Sequence, residues 1–202
     1  MYIFLAGVAL LLYFFLLAIR QTSELQQSTQ IIAEVTEIIG EVEKRGDITN
    51  PGILENQQKK ILKEIESLKQ LPMIPSSKNA SLQKSNIQKL QSLLPALQVN
   101  IINMKALQAA YGYANTATEL ARKIKNYNPI SGGEYMYTKL DPSCEWNKIG
   151  YNWHKAVVTL QGIDPKSAAG KIAQEKLGDY IRNYEVAKRW AGNSSDSWVE
   201  SC

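Results

Sequence analysis

Hydrophobic positions divide the chain into one uninterrupted apolar run and several segments with helical spacing. From Met1 to Ile19 there is no charged side chain, no Asn, Gln or His and no Pro, and the run ends at Arg20. A helix of this length rises about 28 Å, which matches the hydrocarbon core of a bilayer. A cleaved signal peptide would carry a basic residue before a shorter apolar core. The pattern therefore predicts a retained transmembrane anchor over 1–20.

After Arg20, apolar residues recur at alternating steps of three and four, with one step missing at Ser28. This spacing is typical of a coiled-coil seam. Since no Gly or Pro occurs between Arg20 and Ile39, we expect the membrane helix to continue as a rod to about residue 45. The predicted seam comprises Leu25, Ile32, Val35, Ile39 and Val42.

Helix-breaking residues divide the region 21–126, which we interpret as an antiparallel helical or coiled-coil region. Asn50-Pro51 is typical of a helix start, because Asn caps free amides and Pro is tolerated at the first helical position. Pro95 interrupts a long apolar stripe, so we expect a kink or a break there. Breaks are predicted near 46–50, 71–80 and 95.

The last part of the chain, 142–202, predicts a helical hairpin followed by a tail. Its two arms open with the same dipeptide, Asp141-Pro142 and Asp164-Pro165, in which the carboxylate can cap the helix. Trp on one arm opposite Ala on the other would let the two helix axes approach closely. The predicted hairpin core consists of Trp146, Trp153, Ala156, Leu160, Tyr180 and Tyr184.

Charge is unevenly distributed along the chain. Leu71 to Asn126 holds seven basic residues and one acidic residue, whereas Arg20 to Gln70 holds seven basic and nine acidic residues. A basic segment can contact anionic lipid or nucleic acid. This one lacks the aromatic residues interleaved with Arg that support nucleic-acid binding. We expect its Lys side chains to lie on solvated helix faces, with no nucleic acid as partner.

Residues able to carry chemistry are few. His154 is the one histidine, and a metal site or a nucleophile with its base would need companions at matching spacing. The carboxylates have the spacing of ordinary helix-surface charges, and Glu64 is expected to pair with Lys60 across one turn. The sequence predicts neither an enzyme nor a cofactor nor a metal site.

The residues of the predicted hairpin resemble a helical-hairpin module at the end of many membrane-anchored or exported cyanobacterial proteins. Part of the first arm is also similar to a tetratricopeptide unit, although no repeat period follows. The resemblance covers about 107–190 and implies a packing and interaction role without an assigned reaction. The residues that carry the hairpin resemblance are Trp146, Trp153, Ala156, Leu160, Ile163, Asp164, Pro165, Ser167, Lys176, Tyr180, Asn183 and Ala187. Those that carry the tetratricopeptide likeness are Trp146, Ile149, Gly150 and Trp153.

Cysteine placement bears on the compartment. Both cysteines, Cys144 and Cys202, lie in the C-terminal region, and the tail after Gly192 is long enough to return Cys202 to Cys144 across an antiparallel hairpin. We therefore predict a Cys144–Cys202 disulfide, which is typical of an oxidising compartment, and a periplasmic or lumenal body. The alternative is two free thiols on the cytoplasmic side, which Arg20 after the helix favours.

These patterns together predict an all-α protein: an N-terminal transmembrane helix continuing into a helical rod or coiled coil, then a helical bundle ending in an α-hairpin. They favour a structural, scaffold or assembly subunit that crosses the plasma or thylakoid membrane once. Its expected partners are the bilayer and other protein subunits of a membrane complex. The alternative is an envelope or thylakoid-lumen module that binds a soluble ligand or polymer through the Tyr- and Gly-containing loop at 127–141.

Overall fold

Five α-helices account for most of the residues that the computed structural model describes, which are 2–45, 50–73, 77–125 and 142–192. These ranges contain no strand, so the predicted all-α class is confirmed. The loop predicted at 127–141 and the tail from 193 lie outside the described residues. The helices are α1 (Tyr2–Arg45), α2 (Pro51–Gln70), α3 (Lys78–Lys125), α4 (Pro142–Gln161) and α5 (Ala168–Trp190).

The chain divides into two compact units. Unit 1 holds Met1–Lys44 and Asn50–Ile101, and unit 2 holds Arg45–Thr49 and Ile102–Cys202. The first half of α3 therefore belongs to unit 1 and the second half to unit 2.

α1 contains both the apolar run and the segment that follows it. It continues without interruption past Arg20 to Arg45. Within the described residues it is the one helix with the length and composition to cross a membrane. Large apolar side chains of the run, such as Leu11 and Phe15, are exposed in unit 1. The bundle packing of α1 starts after the run, because its buried positions begin at Gln21.

Unit 1 is a bundle of the second part of α1, α2 and the first half of α3. α2 runs antiparallel to α1, as two hydrogen bonds show. Ser67 of α2 donates to Glu24 of α1 over 3.1 Å. Gln57, ten residues earlier on α2, donates to the later Glu34 over 3.1 Å. The hydrophobic core lies between these helices, and its fully buried members include Val35, Val42, Leu54, Ile61, Leu68, Leu90 and Leu97.

The core-facing positions of α1 differ in one place from the predicted seam. Ile31 is buried at 4% exposure, whereas the predicted Ile32 is half-buried beside it. Ser28, at the missing apolar step, is fully buried. Ile31 lies three residues after Ser28 and therefore continues the buried face of α1. Because Ser28 is polar, the apolar pattern omitted it and placed the next seam residue one position too late, at Ile32. The buried positions of α1 are Gln21, Leu25, Ser28, Ile31, Val35, Ile39 and Val42.

The structure agrees with the predicted start of α2 but not with the predicted break inside α3. Asn50 caps α2, because its side chain accepts a hydrogen bond from the Gly52 amide over 2.9 Å. Near 71–80, α2 ends at Gln70 and α3 begins at Lys78, and 74–76 between them lie outside the described residues. A break near 95 is wrong, because α3 continues through Pro95. Pro removes one backbone hydrogen bond at a cost of about 3 kcal/mol, and the fully buried side chains Leu90 and Leu97 on either side offset that cost.

Unit 2 combines the second half of α3 with α4 and α5, which pack against each other. Its core forms two adjoining clusters. The first contains Ala114, Ala117, Ile149, Trp153, Ala156, Val157, Tyr184 and Ala187. The second contains Leu107, Ala110, Leu160, Ile163, Ala169 and Ala173.

The start of α5 differs from the prediction. Ser167 is its N-cap, and the hydroxyl accepts from the Gly170 amide over 2.9 Å. Asp164 instead forms the turn before the helix, where its carboxylate accepts from the Lys166 amide and its carbonyl accepts from the Ser167 hydroxyl. Asp-Pro therefore begins the turn here, and the helix starts at Ala168, three residues after Pro165.

Candidate functional site

The interior of unit 1 holds polar side chains at positions where a helical bundle usually buries apolar ones. Buried polar groups are stable only when they are hydrogen-bonded, so each of them constrains how the helices pack. The buried polar residues of this unit are Gln21, Ser28, Glu64, Asn86 and Asn100.

Gln21 joins the first turn after the apolar run to the rest of the bundle. Its amide donates to the carbonyl of Pro72 over 2.7 Å, and its carbonyl oxygen accepts from Asn79 over 3.2 Å. Gln83 of α3 donates in turn to the carbonyl of Leu71 over 3.1 Å. The end of α2, the start of α3 and α1 are thereby held together close to the apolar run.

An ion pair joins α1 and α2 further along. Lys60 donates to Glu34 over 2.7 Å, and both side chains are about two-fifths exposed. The hydrogen bond from Lys60, followed by the one from Gln57, lowers the pKa of Glu34. The expected surface pair of Lys60 with Glu64 is thus wrong, since the nearby helix α1 offers Lys60 a different carboxylate.

Glu64 is the least expected residue of unit 1. It is 4% exposed, and its Oε1 has no hydrogen-bond partner. It lines a cleft of about 430 Å³ between α1 and α2, together with Glu24 and Ser67. Burial raises the pKa of Glu64, and the negative charge of Glu24 raises it further, while Lys60 acts in the opposite direction. Glu64 lies three residues after Ile61 and four before Leu68, so spacing alone places it on their buried face. It was missed because a charged residue was expected to lie on the solvated face.

In unit 2 the structure brings the predicted hairpin-core residues together. Trp153, Ala156, Leu160 and Tyr184 are buried, whereas Trp146 and Tyr180 are half-buried. Trp153 meets Tyr180 edge to face, with ring centroids 5.2 Å apart. Small residues of α3 complete this core, and they were not among the predicted core residues. The signal for them was their spacing on one helix face, at Ala110, Ala114 and Ala117.

An aromatic pair lies at the surface of unit 2. Trp146 of α4 and Trp190 of α5 are stacked, with centroids 5.8 Å apart and planes 20° apart. Trp190 is 66% exposed. His154 lies beside Tyr184, with ring centroids 5.5 Å apart. Trp and Tyr are enriched at the energetic centres of protein interfaces, so this exposed aromatic pair is a candidate contact surface.

Cys144, in the first turn of α4, is half-buried and disulfide-bonded. The predicted partner, Cys202, lies outside the described residues. The Cys144–Cys202 pairing therefore stays a prediction.

Metal-ligating residues are dispersed in the described part of the chain, where no three of His, Cys, Asp and Glu are grouped to hold an ion. Comparison of the chain with protein-family models, curated proteins and solved structures finds no match. The resemblance to the cyanobacterial hairpin module accordingly stays a prediction.

Proposed function

We propose that this chain is a single-pass membrane protein that acts as a structural, scaffold or assembly subunit and docks on other subunits of a membrane complex through helical surfaces. The observation that carries the proposal is the continuity of α1. The same helix contains the exposed apolar run and, from Gln21 onward, the buried face of unit 1. A helix that leaves the bilayer without a break transmits its position to the bundle that packs on it.

The exposed aromatic pair supports the docking part of the proposal. Trp190 presents a large apolar area to solvent beside Trp146, and Val186 one turn earlier on α5 is 37% exposed. Burying such a surface against a partner removes apolar area from water, which contributes about 25 cal/mol per Å². No reaction is assigned to this surface.

The disulfide on Cys144 supports an exoplasmic body, periplasmic or lumenal, because disulfides persist in oxidising compartments. Protease protection on sealed vesicles that expose the exoplasmic face of the membrane tests this orientation. External protease should remove the body and leave the α1 anchor in the membrane. Full protection of the body from external protease would place it in the cytoplasm.

Membrane anchoring is tested by alkaline extraction of cells that express the full chain. The wild type should stay in the membrane fraction. Leu11→Arg places a charge in the middle of the run at an insertion cost of about 2.5–3.5 kcal/mol and should shift the chain toward the soluble fraction. Thr22→Arg, two residues beyond Arg20, is the matched control and should stay membrane-bound. Wild type in the soluble fraction would contradict the anchor.

Docking is tested by purification from mild detergent, with size and subunit stoichiometry as the readouts. The full chain should elute in a complex of fixed stoichiometry with defined subunits. Trp190→Ala should release the chain as a free species, whereas Val158→Ala, which truncates an exposed apolar side chain of α4, should not. A free monomer for the wild type would contradict the scaffold proposal.

A further inference from the structure

Glu64 occupies a position on α2 at which the rest of the helix buries apolar side chains. Ile61, Ile65 and Leu68 on the same face are all buried hydrophobic residues. A carboxylate is poorly solvated in such a place, and the unpartnered Oε1 shows that the protein does not replace the lost water with a donor. Ionisation of Glu64 therefore opposes the closed packing of α2 on α1.

The charges that face Glu64 do not neutralise it. From α1 it meets Glu24, which lines the same cleft and accepts from Ser67 over 3.1 Å. From α2 itself, Lys60 and Lys63 also line the cleft, but Lys60 is engaged with Glu34 over 2.7 Å and Lys63 is exposed to solvent. α3 has no carboxylate between Lys78 and Ile101, and the basic residues that it contributes there are exposed, namely Lys78, Lys84 and Lys89.

We propose that Glu64 is a proton-controlled latch between α1 and α2. When its carboxyl group is neutral, the two helices close over the cleft without a buried negative charge beside Glu24. When it is ionised, repulsion from Glu24 and the need for hydration loosen α2 from α1. The latch is independent of the docking role proposed above, and it rests on contacts within unit 1.

The direction of the pH effect follows from proton binding. Burial and the charge of Glu24 raise the pKa of Glu64 in the closed bundle above the ordinary value of 4.5. The closed form then binds the proton more tightly than the open form, so closing weakens as the pH rises from about 4.5 through the pKa of the closed form. Glu34 acts with the opposite sign below 4.5, because its pKa is lowered and its ion pair is lost as the pH falls. The two effects therefore occupy separate pH windows.

Hydrogen exchange on the full chain in detergent micelles tests the latch, with protection factors of α2 amides measured between about pH 5 and pH 8. Wild-type protection should fall as the pH rises, by up to about tenfold per pH unit inside the window. Glu64→Gln keeps the shape but cannot ionise, so its protection should be independent of pH and higher than that of the wild type at the upper end. Glu66→Gln, which changes an exposed carboxylate two residues away, is the matched control and should follow the wild type. Identical pH profiles for the wild type and Glu64→Gln would overturn the latch.

Three further experiments keep the test decisive if Glu64→Gln folds poorly. Glu24→Gln removes the like charge and should shift the window to lower pH without abolishing it; an unshifted window would overturn the role of Glu24. Infrared difference spectra of the wild type across the window should show loss of a protonated carboxylic acid, and absence of that signal would overturn the latch. Added Mg²⁺ or Ca²⁺ should not restore protection at high pH; restoration in the wild type alone would assign the cleft to a cation and overturn the proton latch.

Discussion

Asn86 of α3 donates its side-chain amide to the hydroxyl of Ser28 on α1 over 2.7 Å, inside the core of unit 1. The hydroxyl of Ser28 donates in turn to the carbonyl of Leu25 over 2.9 Å. A buried contact of this kind is satisfied in one helix register, because a slide by one turn would separate the Asn86 amide from the Ser28 hydroxyl. Gln21 and Asn79 form a second contact between α1 and α3, and they are separated by the same 58 positions as Ser28 and Asn86. Because both contacts advance in the same direction along the two helices, α3 runs parallel to α1.

Replacement of Asn86 tests this relationship. Asn86→Ala should lower the free energy of unfolding of unit 1 by about 1–3 kcal/mol, because it removes the donor and leaves a cavity. Hydrogen exchange of α1 and α3 amides in the full chain measures the loss. Gln91→Ala, on an exposed part of α3, should stay within about 0.5 kcal/mol of the wild type. Wild-type protection in Asn86→Ala would mean that apolar packing alone sets the register.

Much of unit 1 could be predicted from the sequence because its helices obey local rules. The Asn50 cap and the apolar steps from Val35 to Val42 depend on neighbours a few residues away, and the structure contains both. The burial of Ile31 instead of Ile32, and the burial of a charged residue at Glu64, depend on which helix packs opposite. The apolar pattern along one helix does not encode that packing. Pro95 shows the same limit, since the packing on both sides of it determines whether the helix survives.

A close backbone contact at the start of α5 predicts that a larger residue there will destabilise unit 2. Gly170 lies against the backbone of Asp164 and Pro165, so that a Cβ at this position would overlap the carbonyl oxygen of Asp164. Gly170→Ala should therefore destabilise unit 2 by about 1–3 kcal/mol through displacement of the turn. Thermal unfolding followed by the near-ultraviolet signal of the tryptophans, all four of which belong to unit 2, provides the measurement.

Gly178 supplies the matched control for that change. It lies in the interior of α5, and the nearest atom to a Cβ there is Nη1 of Arg182 at 3.9 Å. Gly178→Ala should stabilise the helix by about 0.5–1 kcal/mol, because Ala loses less backbone entropy on folding. Changes of the same sign for both variants would contradict the close-contact explanation.

Two tryptophans of unit 2 should separate stability from docking. Trp153→Ala should cost about 3–5 kcal/mol, because it removes a buried ring from the core between α3, α4 and α5. Trp190→Ala should change the melting profile far less, since two-thirds of that side chain is exposed. Comparison of both melting profiles with complex formation distinguishes the roles. A wild-type melting profile for Trp153→Ala would place that face against a partner instead of the core.

The sequence pattern predicted the aromatic core residues of α4 and α5 but not the part of that core that α3 contributes. Trp153 and Ala156 share one face of α4 by helical spacing, and Tyr184 shares one face of α5 with Ala187, so their burial followed from the pattern. Ala114 and Ala117 of α3 lie far from them in the chain, and small residues give a weak hydrophobic signal. Their contribution comes from close approach of helices, which depends on the tertiary arrangement.

The disulfide at Cys144 should be detectable as a cross-linked peptide and should stabilise unit 2. The sequence contains two cysteines, and Cys144 is bonded, so non-reducing mass mapping of native protein should recover the peptides of Cys144 and Cys202 joined. Cys144→Ser should lower the free energy of unfolding of unit 2 by about 2–4 kcal/mol, because the cross-link restricts the unfolded chain. Reduction of the wild type should reproduce that loss, and reduction of Cys144→Ser should add nothing. Recovery of both thiols free from native material would contradict the bridge and would remove the main support for an exoplasmic body.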